Sequence, residues 1–136
     1  MPITTNPQID DGSIINQGAD FVRVYSAEDS GTPIDITGAV VTCEFTSDFT
    51  GGSVFVATGA VTDGAAGEFS ITVDAAATAG YMPPELLNNN NNIPRFGRDR
   101  GFEVLAFEVF LEGVAGRTQK ECYVFGTAHF YPSAQT

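Results

Sequence analysis

The chain has 136 residues, of which 43% are hydrophobic and 11% aromatic, so it is long enough to bury a core in one globular domain. Its net charge is −11, from six basic and seventeen acidic residues. So few cations argue against nucleic acid as a direct partner, because phosphate binding needs several lysines or arginines on one surface. An anionic membrane surface is disfavoured for the same reason.

The N-terminus, Met1 to Asn6, has neither a basic nor an apolar segment, and no apolar run approaches the ~20 residues of a transmembrane helix. We therefore expect no signal peptide, no membrane span, and folding in the cytoplasm of the producing cell. Cys43 and Cys122 both fall on the predicted inward face of a strand. A bridge across a sandwich is possible, but cytoplasmic chains usually keep such thiols reduced.

Hydrophobic residues alternate with polar ones in several short segments, which is the pattern of half-buried antiparallel strands. Glycine- and proline-containing turns separate these segments, and a single helical turn is predicted at 74–78 with Asp74 as its N-cap. The pattern predicts an all-β sandwich over 16–136, after an N-terminal extension at 1–15. The predicted strands are 21–25, 39–46, 54–57, 68–74, 102–111 and 120–131, the last two joined by a hairpin at 112–117.

A long inserted loop is predicted at about 80–101, where prolines and a run of five asparagines break the strand pattern. It holds half of the basic residues of the chain, Arg95, Arg98 and Arg100. One interpretation is a solvated loop whose arginines form local ion pairs. The other is an arm that docks on the acidic body of a neighbouring copy.

The final hairpin is apolar on both faces. Leu105, Phe107, Val109 and Leu111 are predicted to close the core, and Cys122, Val124, Ala128 and Phe130 share one side of the last strand. A sheet that is apolar on both faces is normally covered on both faces, so the other side predicts a subunit interface. The predicted interface residues are Phe102, Val104, Phe110, Tyr123, Phe125 and Tyr131, with Arg95, Arg98 and Arg100 of the loop.

No constellation of residues predicts catalysis. His129 lies among aromatic strand residues, no Gly-x-Ser-x-Gly segment is present, and the acids fall at turns or on outward strand positions. Two cysteines and one histidine do not make a zinc site. Calcium is the one cofactor left open, at 10–13 and 28–30, where turn chemistry is the alternative explanation of the acidic side chains.

Three segments, taken in order along the chain, carry a resemblance to a known family. Asn16-Gln17-Gly18-Ala19-Asp20-Phe21 is followed by Asp29-Ser30-Gly31-Thr32-Pro33-Ile34-Asp35-Ile36-Thr37-Gly38-Ala39, and then by a Gly-x-Phe-x-Ile-x-Val strand at 67–73. This order resembles the immunoglobulin-like domains of phage tail and baseplate proteins, including the N-terminal domain of baseplate upper proteins. In such domains the motif residues Gln17, Gly18, Asp20, Asp35, Thr37 and Gly38 are expected to build turns.

The resemblance implies an immunoglobulin-like antiparallel β-sandwich and a non-enzymatic structural protein of a bacteriophage virion. A tail or baseplate component is the first expectation, assembled in the host cytoplasm as an oligomer with itself and other virion proteins. Capsid decoration is the alternative for a short acidic domain. A carbohydrate-binding or host-adhesion module is the alternative from another class, although such sites favour Trp and Tyr, and the chain has no Trp and four Tyr.

Overall fold

The computed structural model describes residues 7–48, 50–83, 102–117 and 119–132. The predicted all-β fold is confirmed, and each of the six predicted strands overlaps an observed one. The elements are β1 (Gln8–Asn16), β2 (Phe21–Ser26), β3 (Glu28–Asp29), β4 (Thr32–Pro33), β5 (Val40–Ser47), β6 (Ser53–Asp63), β7 (Glu68–Val73), α1 (Ala75–Ala79), β8 (Glu103–Glu112) and β9 (Glu121–Tyr131).

Seven strands form one sheet in the order β1-β9-β8-β5-β6-β7-β2, and β3 pairs with β4 in a small separate ribbon. The neighbouring pairs from β9 to β2 are antiparallel, whereas β1 runs parallel to β9. The sheet folds back on itself, so that its two edge strands approach and Asp10 of β1 pairs with Arg23 of β2 at 2.9 Å. The sandwich therefore encloses one core.

Phe45 of β5 lies at the centre of that core and is fully buried. Its ring contacts those of Phe21, Phe55 and Phe107 at centroid distances of 5.8, 6.3 and 5.0 Å. Such edge-to-face and stacked pairs stabilise a core beyond the burial of their area. The alternation predicted for β5 and β7 is observed, because Val41, Cys43, Phe45, Phe69, Ile71 and Val73 are all buried.

The prediction of an N-terminal extension at 1–15 is wrong for residues 8–15, because these residues form most of β1. The strand signal is obscured because a bulge between Asp10 and Ser13 breaks the alternation. Only Ser13 and Ile15 of the strand are buried. The strand packs closely on β9, where a Cβ at Gly126 would lie 1.9 Å from the Asp10 carbonyl oxygen, so only glycine fits.

A second bulge corrects the predicted faces of β9. Val109 pairs with Val124 but Phe110 pairs with Cys122, so Tyr123 is the extra residue and has no partner across the ladder. The prediction that Tyr123 faces outward is therefore wrong, since its side chain is buried. Cys122 lies instead on the outer face beside Phe110, and both cysteines are free thiols. Burial raises the pKa of the Cys43 thiol to about 12, so it is an unreactive core group.

Candidate interface on the outer face of the sheet

A buried polar network joins the parts of the chain that precede and follow residues 84–101, which we call the inserted segment. Glu103, at the start of β8, is fully buried and accepts hydrogen bonds from Tyr81 Oη at 2.5 Å and Ser47 Oγ at 2.6 Å. The Ser47 hydroxyl in turn accepts from the Thr50 amide at 3.1 Å. Because Tyr81 precedes the segment and Glu103 follows it, this network fixes the positions from which the chain leaves and returns.

The predicted turn residues Gln17, Gly18 and Asp20 contact helix α1 and Tyr81, which follows it. Asp20 Oδ1 accepts from the Ala75 amide at 2.7 Å, and the Gly18 amide donates to Thr78 Oγ1 at 3.0 Å. Gln17 Nε2 donates to the Tyr81 carbonyl at 2.7 Å. The predicted cap of the helix is present as well, with Asp74 accepting from Ala77. These residues therefore position Tyr81.

The other predicted turn residues, Asp35, Thr37 and Gly38, form a separate turn. Asp35 Oδ1 accepts from the Thr37 amide at 3.0 Å and from its hydroxyl at 2.6 Å, and these bonds hold the pKa of Asp35 below its usual value. Gly38 adopts a positive φ of 83°, a conformation that a side chain would strain. The turn places Ile36 in the core, where it is fully buried.

A groove of about 580 Å³ lies on the outer face of β6, β5, β8 and β9, and we call it the outer groove. Two of the predicted interface residues, Phe110 and Phe125, line it together with Val56 of β6. Val56 is 77% exposed and Phe125 is 39% exposed, which leaves large apolar side chains in solvent. The other outward-facing side chains of the groove are Thr42, Glu44, Thr46, Ala106, Glu108 and Lys120.

Two glutamates lie opposite each other on neighbouring strands in the outer groove. The strand registers place Val56, Glu44, Glu108 and Phe125 in one row across four strands, so the glutamates are directly opposite each other. Among the described residues, neither glutamate has a hydrogen bond or an ion pair, and Lys120 lies with Nζ 5.4 Å from the centroid of the Phe110 ring. Like charges directly opposite on neighbouring strands are destabilising.

An aromatic cluster occupies the opposite end of the same face, where the description of the chain resumes at Phe102. Phe102 stacks on His129 with ring centroids 4.3 Å apart and contacts Tyr131 at 5.1 Å. The neighbouring strand adds Ile14, which pairs with His129 in the ladder and is 54% exposed. Val104 also pairs with His129, from β8, and is half-buried. The apolar outer surface thus continues from the cluster towards the outer groove.

The structure describes six of the nine predicted interface residues and places them in three different regions. Phe102, Val104 and Tyr131 belong to the end of the face that holds the aromatic cluster, and Phe110 and Phe125 belong to the outer groove. Tyr123 lies in the core instead. The remaining three, Arg95, Arg98 and Arg100, lie outside the described residues, as does most of the loop predicted at about 80–101.

Asp10, one of the acidic residues considered for calcium, is engaged in protein contacts. Asp10 Oδ2 accepts from Tyr25 Oη at 2.8 Å and from Arg23 Nη2 at 2.9 Å, and Asp10 Oδ1 accepts from the Gly12 amide. Burial alone would raise the pKa of Asp10, but these donors lower it below its usual value overall. Within the described ranges no three His, Cys, Asp or Glu side chains come together as metal ligands would.

The four tyrosines do not form an exposed platform. Tyr25 and Tyr123 are buried, and the Tyr81 ring packs edge-on against Phe55 and Phe130. Tyr131 is half-buried beside Phe102. A sugar-binding surface made of stacked exposed tyrosines therefore has no counterpart here.

The sequence did not point to Glu44, Glu108 or Val56 as site residues. The outward position of Glu44 was predictable from alternation, but each glutamate alone resembles any solvated strand residue. Glu44 and Glu108 become a site only through the β5–β8 register, which places them opposite each other. This register depends on pairing between strands that are distant in sequence.

No protein-family model matches the chain, and no curated protein is significantly similar to it. In the part of the chain that the structure describes, no helix is long and apolar enough to cross a membrane.

Proposed function

We propose that this protein is a non-enzymatic structural subunit of a bacteriophage virion, which assembles with itself and with other virion proteins through the outer face of its sheet. The observation that carries the proposal is the two-sided character of β8 and β9. One side of the hairpin closes the core with Leu105, Phe107 and Val109, which are buried. The other side leaves Phe110 and Phe125 at an open groove.

The electrostatics support a protein partner. The chain carries a net charge of −11. Of the described cations, Arg23 and Arg117 are paired with Asp10 and Glu121, and Lys120 lies over the Phe110 ring. A surface of this charge repels nucleic acid and anionic lipid but accepts a protein surface with exposed cations.

The virion assignment comes from the resemblance of the 16–39 segments to phage tail and baseplate domains. A tail or baseplate position follows from that resemblance, with assembly in the host cytoplasm. Capsid decoration uses the same kind of surface and is the competing location.

The location is tested on purified particles. Quantitative mass spectrometry should find the protein in stoichiometric amounts in virions, and gold-labelled antibody should mark the tail end rather than the capsid. Gold distributed over the capsid would replace the tail assignment with decoration. Absence of the protein from purified particles would refute the proposed function.

Removing residues 86–100 separates folding from assembly. The Tyr81–Glu103 bond and the core lie outside the deleted residues, so we expect the shortened protein to keep its thermal unfolding transition. Its incorporation into particles should fall, because three of the six basic residues are lost. Unchanged incorporation would show that the inserted segment takes no part in assembly.

A further inference from the structure

We propose that the outer groove binds the arginine-bearing segment 84–101 of a second copy of this chain. The inference rests on the proposed function and specifies one of its contacts. Glu44 and Glu108 lie opposite each other with no ion pair to any described residue, and they are flanked by apolar Val56 on one side and Phe125 on the other. An occupant that complements this row brings a cation to its centre and apolar side chains to its ends.

The chain itself contains one segment with that composition. Residues 93–101 read Ile-Pro-Arg-Phe-Gly-Arg-Asp-Arg-Gly, so three arginines and one aspartate are interleaved with Ile93 and Phe96. A guanidinium donates up to five hydrogen bonds from a planar fork, and two adjacent carboxylates are suitable acceptors for it. The apolar neighbours of the arginines would contact the apolar ends of the row.

The other three basic residues already have contacts within their own chain. Arg23 pairs with Asp10, and the Arg117 side chain is 5% exposed and paired with Glu121. Lys120 is part of the outer groove and lies against the Phe110 ring. In a contact between two copies, Arg95, Arg98 and Arg100 are therefore the largest supply of positive charge for the two glutamates.

A symmetric contact between two outer grooves is disfavoured by the same charges. It would bring Glu44 and Glu108 of one copy against those of the other, with only the two Lys120 side chains to offset four carboxylates. Such like-charge contacts act against association. A contact between the groove of one copy and the basic segment of the next is heterologous, and contacts of this kind build rings or filaments.

Occupation by the segment of the same chain is restricted by distance. Glu108 lies six residues after Phe102, or about 20 Å at the usual rise of a strand. Seven fully extended residues reach about 25 Å, so Arg95 could approach Glu108, whereas two residues place the backbone of Arg100 within about 7 Å of Phe102, too far from Glu108 for its side chain to bridge. A neighbouring copy can present all three arginines.

The test uses a fluorescein-labelled peptide with the sequence of residues 84–101. The receptor is the full-length protein with Arg95→Gln, Arg98→Gln and Arg100→Gln, which removes competition from its own segment. Fluorescence anisotropy should show saturable binding that weakens as salt is added. Glu44→Gln with Glu108→Gln in this receptor should weaken binding at least tenfold. The matched control is Glu28→Gln with Asp29→Asn, which makes the same change of charge on β3 and should leave binding unchanged.

Three outcomes would overturn the inference. They are no binding of the peptide, equal weakening by the control pair, and binding to the triple-glutamine receptor while the unmodified protein sediments as a monomer at the same concentrations. The last result would indicate that each chain occupies its own groove. If any of these holds while the protein is still found in purified particles, the groove contact fails and the proposed function stands. Absence from particles refutes the proposed function, whatever the peptide does.

Discussion

The β5–β8 strand pair carries carboxylates in two contrasting environments. At one end Glu103 is fully buried, and both of its oxygens accept hydrogen bonds, from Tyr81 and Ser47. Nearer the other end Glu44 and Glu108 are exposed, opposite each other and unpaired among the described residues. A buried acid with satisfied oxygens supports the fold. Two exposed acids directly opposite each other on neighbouring strands are expected to weaken it, and a bound cation would offset their repulsion.

The largest effect is expected from the buried end. Glu103→Ala leaves the Tyr81 and Ser47 hydroxyls without their acceptor and opens a cavity, so we expect the free energy of unfolding to fall by about 3 kcal/mol. Urea denaturation measures this. The control is Glu112→Ala on the same strand, which is exposed and should change stability by less than about 0.5 kcal/mol. Equal effects of the two variants would remove the contrast between buried and exposed acids.

The next effect concerns the closure of the sheet at β1. Gly126→Ala places a Cβ against the Asp10 carbonyl, so we expect about 1–3 kcal/mol of destabilisation from overpacking. Hydrogen exchange should show the loss concentrated in β1 and β9. Gly12→Ala is the control, because a Cβ there meets no atom within 4 Å. Uniform loss of protection over the whole sheet would contradict a local role for Gly126.

A smaller effect is expected from Asp10 as the pH falls. Its pKa is lowered in the folded protein, so the stability it contributes is present above the ordinary aspartate value of 3.8 and is lost as the pH falls below it. Asp10→Asn should cost about 1 kcal/mol at neutral pH, where the ion pair is partly exposed. It should also flatten the pH dependence of the melting temperature below pH 4. An unchanged acid profile would exclude Asp10 as its source.

The smallest effect has the opposite sign. Glu108→Gln removes the repulsion with Glu44, so the isolated subunit should become more stable by about 0.2–1 kcal/mol. Chemical denaturation in low salt measures this, and added salt should reduce the difference. Glu28→Gln serves as the control for removal of one exposed charge. A loss of stability in Glu108→Gln would mean that the carboxylate has a stabilising partner and that the contrast with Glu103 is wrong.

The sequence predicted the features that depend on neighbouring residues. The alternation of β5 and β7 and the Asp74 cap were visible because side-chain period and local hydrogen bonds are written in consecutive positions. The apolar outer positions Phe110 and Phe125 were found in the same way, by counting alternate residues along the hairpin.

The remaining features depend on pairing between distant strands. The bulge at Tyr123 reverses the faces assigned to Cys122 and Tyr123, and the bulge in β1 hides a strand that the core needs. The Glu44–Glu108 pair exists only in the β5–β8 register, which one-dimensional alternation does not contain. Local patterns thus identify strands and faces, whereas the composition of the site requires the register.

We propose that this protein joins a particle through the outer face of β5, β6, β8 and β9. This contact is tested most directly by placing a photo-crosslinking amino acid at Phe125 during particle production. The control is Val24 on β2, which is also apolar and is 57% exposed, against 39% for Phe125. We expect purified particles to contain crosslinks from position 125 to a virion subunit and few crosslinks from position 24. Crosslinks from position 24 alone, or no crosslinks from position 125 in particles that contain the variant, would contradict this expectation.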